Sequence, residues 1–200
     1  SLVVLGSPFL SFQWDNLLLE SGFLAIWLAG FKRLDQKPSP FILFTLYLLL
    51  FRLMFFSGYV KLGSNDPVWW NLSALSLHFE TQPLPHALSW YFHQIPPILL
   101  KIATALMFFI ELVAPFFIFM GRRLRHIAGI LFMAFMLVIS LSGNYTFFNF
   151  LTIVLCISLF DNAFYKRWRV ALPIKFLKKG NFSLPGKTWG IVQKVICLLI

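Results

Sequence analysis

The stretch PFILFTLYLLLFRLMFFSGYV, residues 40 to 60, carries one charged side chain, Arg52. A helix needs about 20 apolar residues to cross a bilayer, and only helices and closed barrels cross with their backbone polar groups satisfied. The same apolar character recurs at 9 to 31, 97 to 120, 124 to 143 and 145 to 165. A further run opens near residue 188 and the sequence stops within it, as expected of a portion of a longer protein. The pattern predicts an all-α, polytopic transmembrane helix bundle of about five spans plus the start of a sixth. Its expected parts are a transmembrane domain over 1–165, a basic cytoplasmic connection over 166–187, and a truncated span over 188–200.

Composition agrees that the solvent is lipid. A chain of 200 residues that is 59% hydrophobic and 12% charged cannot hide that much apolar surface in one water-soluble core. Its 25 phenylalanines and 7 tryptophans suit a bilayer interior and its interfaces. The 17 basic residues outnumber the 7 acidic ones, but a nucleic-acid partner would require a large polar surface, so none is expected and basic loops account for the excess. Cys156 and Cys197 lie inside apolar runs, where they behave as small hydrophobes and define no disulfide framework. The first residues lack the charged segment and cleavage motif of a signal peptide.

The charges follow a rhythm. Lys32, Arg33 and Lys37 follow the first run, Arg122, Arg123 and Arg125 the third, and Lys166, Arg167, Arg169, Lys175, Lys178, Lys179 and Lys187 the fifth. The connection from 61 to 96 holds one lysine, one aspartate and one glutamate, and the turn SGNYT holds no charge. Basic connections are cytoplasmic by the positive-inside rule, which places the N-terminus and the 61 to 96 segment on the far side.

That outer segment contains LPHALSWYFHQIPP, in which Leu84, Leu88, Tyr91, Phe92 and Ile95 recur at helical spacing while Gln82, His86, Ser89 and His93 take the other face. The pattern predicts a short interfacial amphipathic helix with its histidines toward water, opened by Pro83 and Pro85 and closed by Pro96-Pro97. His78-x-Glu80 and the separated His86 and His93 lack metal-ligand spacing, so no metal and no cofactor is expected.

Ionisable groups within apolar runs carry a cost and therefore a reason. Asp15 and Glu20 lie in the first run, Arg52 in the second, Lys101 and Glu111 in the third. Pro115 cannot donate to the carbonyl of Glu111, so a bend is expected beside this acid; an interhelical pair with Arg52 is its structural reading and a cavity its functional one. Lys61 lies nine residues beyond Arg52, on the opposite helix face, and the two can share a site only through a break, which Gly58 is expected to supply. Lys61 is either an anchor that snorkels to the interface or a desolvated base. Asp66-Pro67 should open a second short element that lays Trp69 and Trp70 at the interface.

Five segments, LSFQWDNLLLESGFLAI, FRLMFFSGYVKL, LHFETQPLP, IELVAPFFIFMGRRLR and SGNYTFFNFLTIVLCISLFDN, resemble in order the membrane region of the lipase maturation factor family. HFETQPLP and GNYTFFN are the most specific of them. The sequence departs from the family pattern at Ser76 and Asn162, where the family carries acids. The resemblance implies a polytopic protein whose animal members sit in the endoplasmic reticulum and help lipases fold and assemble, with a lipase or another secreted protein as client and the bilayer as surroundings. His78, Glu80, Thr81, Gln82 and Pro83 then form a motif loop that supports client binding. The family is distantly similar to the membrane domain of vitamin K-dependent gamma-glutamyl carboxylase, whose catalytic lysine follows a G-x-x-K-L stretch matched here by Gly58, Lys61 and Leu62. Two readings follow: a chaperone-like maturation factor, or a membrane enzyme with catalytic Lys61 and Glu111 acting on a lipid-soluble or peptide substrate. Sequons stand at Asn71, Asn144 and Asn181, and the short loops favour a bacterial inner membrane over the endoplasmic reticulum.

Overall fold

Pro40 at the first helical position and the polar turn after Gly63 bound the longest helix among the described residues. In the computed structural model the described residues are 12–29, 39–82, 87–143, 145 and 147–167. Nine α-helices account for most of them: α1 (Gln13–Ala29), α2 (Pro40–Gly63), α3 (Pro67–Trp70), α4 (Ala74–Thr81), α5 (Ala87–His93), α6 (Pro97–Phe108), α7 (Arg122–Ser142), α8 (Phe148–Cys156) and α9 (Asn162–Arg167). Among the described residues no strand occurs. Leu84, His86, the sequons at Asn144 and Asn181, Cys197, the basic stretch from 168 to 187 and the expected sixth span lie outside the described residues.

Three helical segments are long and apolar enough to cross a membrane: Pro40–Gly63, Pro97–Ile118 and Arg122–Ser142. Each buries a narrow stripe and leaves most of its apolar surface outward, the pattern of helices dissolved in lipid. The fifth expected span is shorter and in two pieces. Phe148–Cys156 continues as a 3-10 turn over Ile157–Leu159, Phe160 is extended, and α9 begins anew. Asp161 explains the break, because its carboxylate accepts the Phe164 amide at 2.9 Å as a helix cap.

The chain divides into two units, Ser1–Leu48 with Asp161–Ile200, and Leu49–Phe160. In the first, α1 buries Leu17, Ser21, Leu24 and Trp27 along one stripe. In the second, α6 and its continuation bury Leu100, Thr104, Met107, Glu111, Ala114 and Ile118, at the three- and four-residue spacing of a single helix face. α7 packs along α8 and along the segment after Glu111. Where α7 meets the end of the second unit, Gly129 leaves room for Phe160, whose ring would lie 2.7 Å from an added Cβ. α4 lies against α5 and α6, and α5 against α7.

The bend expected beside Glu111 is present, and its form is informative. Phe109–Val113 is a π turn and Ala114–Ile118 a 3-10 turn. Pro115 removes the amide that would have bonded the Glu111 carbonyl, and the helix widens there before tightening. By contrast Gly58 does not break α2, which is continuous through it. Its role is proximity: a Cβ at Gly58 would lie 2.8 Å from Leu112 Cγ and Cδ2 and 3.0 Å from Glu111 Cβ. The missing side chain lets α2 touch the π turn.

This contact predicts a contrast between two helical glycines. Gly58→Val should destabilise the detergent-solubilised protein by about 1–3 kcal/mol through overpacking, because Glu111 Cβ is tied to backbone and cannot retreat. Gly22→Ala, with nothing within 4 Å of an added Cβ, should be neutral or stabilising by up to about 1 kcal/mol. Thermal melting of the two variants decides; equal losses would contradict the packing role of Gly58.

Candidate functional site

The continuous α2 helix sets Ser57, Gly58 and Lys61 on one face at spacings of one and three residues, and this face meets the π turn of the third apolar run. The Lys61 Nζ donates to Glu111 Oε1 at 2.5 Å and Oε2 at 2.6 Å, and to Ser57 Oγ at 3.0 Å. Ser57 in turn donates to Glu111 Oε1 at 3.3 Å. Side-chain exposure is 22% for Lys61 and 4% for Glu111, so the carboxylate is the buried member and the lysine reaches down to it from the membrane end of α2. A pair with Arg52 is one of the two readings of Glu111 that the sequence leaves open, a cavity being the other. The structure corrects the first: Arg52 is exposed, and an unbroken helix carries it to the opposite side.

The lysine has a roof. Asp66 caps α3 by accepting the Val68 amide at 3.0 Å, with Pro67 fixed at the first helical position. This short helix sets the Trp69 ring with its centroid 5.7 Å from Lys61 Nζ, within cation–π range. Trp69 also meets Phe108 edge-on at 6.1 Å, and Trp70 stays exposed. The expected second element with its tryptophan pair is therefore present, with one tryptophan over the ion pair and one outward. An ammonium has three N–H donors, and Lys61 directs them at a carboxylate and a hydroxyl. Its nitrogen can take or attack nothing until that pair opens.

Beside the pair, the two most specific sequence segments come together. His78 Nε2 and Tyr145 Oη are 3.1 Å apart, with their rings stacked at 6.3 Å and 14°. Gln82 Nε2 donates to the Ser142 carbonyl at 3.2 Å. Gly143 makes this approach possible, since an added Cβ would stand 3.0 Å from Gln82 Oε1 and 2.8 Å from the Tyr145 ring. His78 and Gln82 are one helical turn apart, and the Gln82 amide closes that turn on the His78 carbonyl at 3.1 Å. HFETQ and SGNY thus form one clamp.

The remaining motif residues do different work. Glu80 Oε1 contacts His93 Nε2 at 3.3 Å, tying α4 to α5, and Phe79 stacks on Phe92 at 5.7 Å. Thr81 bonds its own helix through the Leu77 carbonyl at 2.9 Å. Pro83 lies outside the described residues. Among the described residues, no group of three His, Cys, Asp or Glu side chains gathers as metal ligands would. Sequence reasoning missed Ser57 and Tyr145. Ser57 was legible in principle, four residues before Lys61 on the same face; Tyr145 lay in plain view inside GNYTFFN, but no spacing rule links it to His78.

The electrostatics of the clamp generate a pH dependence. Burial, and then the Lys61 charge, push the His78 pKa below the ordinary histidine value, while burial pushes the Tyr145 hydroxyl up. The folded protein thus favours a neutral His78 hydrogen-bonded to the Tyr145 hydroxyl. The unfolded chain binds more protons at His78, so this group's contribution is full above about pH 6.5 and is lost as pH falls through the lower folded value. Melting temperature should fall between about pH 7.5 and about pH 5.5, and the fall should be smaller in His78→Gln. An unchanged acid loss in that variant would assign the effect elsewhere.

Comparison with known proteins places these features in a family. The model of the lipase maturation factor transmembrane domain matches residues 1–167. Lipase maturation factor 2 of Xenopus laevis is 46% identical over 177 residues, which cover 84% of this chain and 25% of that protein. Lipase maturation factor 2 of Gallus gallus is 45% identical over 175 residues, 84% of this chain and 24% of that protein. Lipase maturation factor 1 of Mus musculus is 38% identical over 168 residues, 82% of this chain and 29% of that protein. The chain spans about a quarter of the length of the curated relatives it matches. No solved structure matches it. These relatives are animal proteins and lend nothing to the bacterial inner membrane favoured by the short loops. An integral membrane protein in which HFETQ and SGNY are clasped beside a Lys61–Glu111 pair belongs to the lipase maturation factor family, whose transmembrane domain it carries.

Proposed function

We propose that this domain is the membrane part of a factor that assists the folding or assembly of lipases in the endoplasmic reticulum, and that it acts through its outer segment. The observation that carries the reading is the clamp between HFETQ and SGNY. Two segments that are uncharged or weakly charged, and far apart in sequence, are bonded into one surface beside the ends of α2 and α6. The Lys61–Glu111 pair is its foundation: it holds α2 against the π turn, and α3 and α4 rest beside it. In this role the pair is structural, and Lys61 serves by its charge and reach.

A charge-deletion series tests this. Lys61→Met leaves a buried carboxylate without its partner, at a cost of roughly 3–5 kcal/mol, and should abolish secretion of active lipase by depleting folded factor. Lys61→Met combined with Glu111→Met removes both charges, and replacing a buried pair by apolar groups is often neutral, so protein level and lipase secretion should both recover. The measurement is secreted lipase activity in cells whose sole maturation factor is the complete protein, with membrane-inserted factor quantified in parallel. A double variant that inserts and accumulates normally yet secretes no active lipase would assign chemistry to the pair. Gln82→Ala, which severs the clamp on its outer side, should reduce secretion while leaving factor levels near normal.

The same reading fixes a topology of five crossings, with the N-terminus, residues 61 to 96 and residues 142 to 146 lumenal. Residues 32 to 39, 121 to 125 and 166 to 187 are then cytoplasmic. Arg122, Arg123 and Arg125 at the start of α7 support it by the positive-inside rule. In a background without Cys156 and Cys197, cysteines placed at Ser64 and Ser39 should react with an impermeant reagent from opposite sides. Reaction of both from the same side would overturn the topology.

A further inference from the structure

α5 is built the wrong way round for a helix in water. Its inward side is Ser89, 2% exposed, with Phe92 and His93 partly covered, whereas Leu88 at 39%, Trp90 at 63% and Tyr91 at 65% exposure point outward. At about 100° per residue these outward residues share one side of the helix, and that side is wholly apolar or aromatic. The amphipathic helix expected from sequence therefore exists over Ala87–His93, but with Ser89 on the buried side rather than toward water. The polar face is spent on the protein, through the contact of His93 with Glu80 and the packing of α5 on α4 and α7.

We infer that α5 is seated in the outer interface of the bilayer, with Trp90 and Tyr91 among the headgroups and upper acyl chains, so that the part of the outer segment formed by α5 is a membrane-embedded shelf rather than an aqueous loop. Two observations on the molecule choose lipid as the occupant. The first is proximity in the chain: Pro97 follows His93 by only four residues, and the membrane-crossing helix it opens begins with exposed apolar residues of its own, Ile98, Leu99 and Ile102. The second is composition. Trp and Tyr combine an apolar ring with one polar edge, which suits the bilayer boundary, and a solvated helix would reverse the arrangement of Ser89 and Trp90. The consequence is positional. With α5 in the interface, the Glu80–His93 contact and the clamp at His78 and Tyr145 sit at the membrane surface, so a partner approaching the clamp does so along the lipid.

Nitroxide labels on single cysteines at Trp90, Tyr91, Ile102 and Ser64, in a protein lacking Cys156 and Cys197 and reconstituted in phosphatidylcholine vesicles, test the inference. Collision with oxygen reports lipid and collision with a water-soluble nickel chelate reports solvent. Labels at 90 and 91 should follow the one at 102, favouring oxygen several-fold, while the label at 64 favours nickel. Labels at 90 and 91 that favour nickel would overturn the inference in favour of an aqueous loop. Labels shielded from both reagents would overturn it in favour of a protein partner, a second copy included. Should the labelled proteins fail to fold, the unlabelled chain and Trp90→Phe supply a second reading in vesicles of brominated phosphatidylcholine. The variant should lose part of the lipid-quenched fluorescence; an unchanged quenched fraction would equally count against the shelf.

Discussion

A carboxylate in the middle of an apolar helix is the constraint from which the arrangement of the second unit follows. Glu111 is almost fully buried, and a charge there persists only with a partner and further hydrogen bonds. Lys61 and Ser57 meet that need from α2, which requires α2 to lie within a few ångströms of the π turn. Gly58 removes the side chain that would hold them apart, and Pro115 opens the turn that presents the carboxylate. Four residue types with unrelated reputations thus serve one contact. Removing any of them asks the others to accommodate a misplaced charge.

The roof over that contact extends the same logic. The turn after α2 carries Asp66 and Pro67 because a helix must restart at once, and the restarted helix is four residues long, enough to set one tryptophan over the ammonium and the next outward. SGYVKLGSNDPVWW is thus an elaborate ending for an apolar run because it does more than stop a helix. It supplies the cation, the hydroxyl, the close approach and the aromatic lid in fourteen consecutive positions.

Much of this was legible in sequence, and the failures have physical causes. Apolar run length located α2, α6 with its continuation, and α7, because lipid tolerates little else. The bend at Glu111 followed from a missing amide. The pairing of Glu111 with Lys61 was not singled out because sequence left a pair with Arg52 and a cavity as open alternatives, and Gly58 was read as a break where it is a close approach; a glycine in a helix can mean flexibility or proximity, and only a facing surface tells which. The apolar side of α5, with Leu88 and Tyr91 outward, agrees with the periodicity, but Ser89 lies on the buried side rather than toward water. Periodicity finds the two faces of an amphipathic helix but not which of them meets protein when the surroundings are themselves apolar. The pairing of His78 with Tyr145 spans sixty-seven positions and leaves no periodic trace, so it was visible only as two segments of one family resemblance.

The distribution of chemistry between the two ends of the helices carries the functional argument one step further. Near the start of α7 the protein presents Arg122, Arg123 and Arg125. Near the ends of α2 and α7 it presents an ion pair, together with a histidine–tyrosine stack and a glutamine bonded to a backbone carbonyl that are both carried by α4. A span that served only to anchor would need none of these, because lipid contact alone holds an apolar helix in place. Building them costs free energy in a medium that penalises polar groups, and each is bonded to a partner on another element of the chain. What the bonds secure is the placement of α2 against the π turn, and of α4 against the turn after α7. Fixed geometry of that kind matters only where a rigid surface is required, and this rigidity is the physical ground of the role proposed for the outer segment.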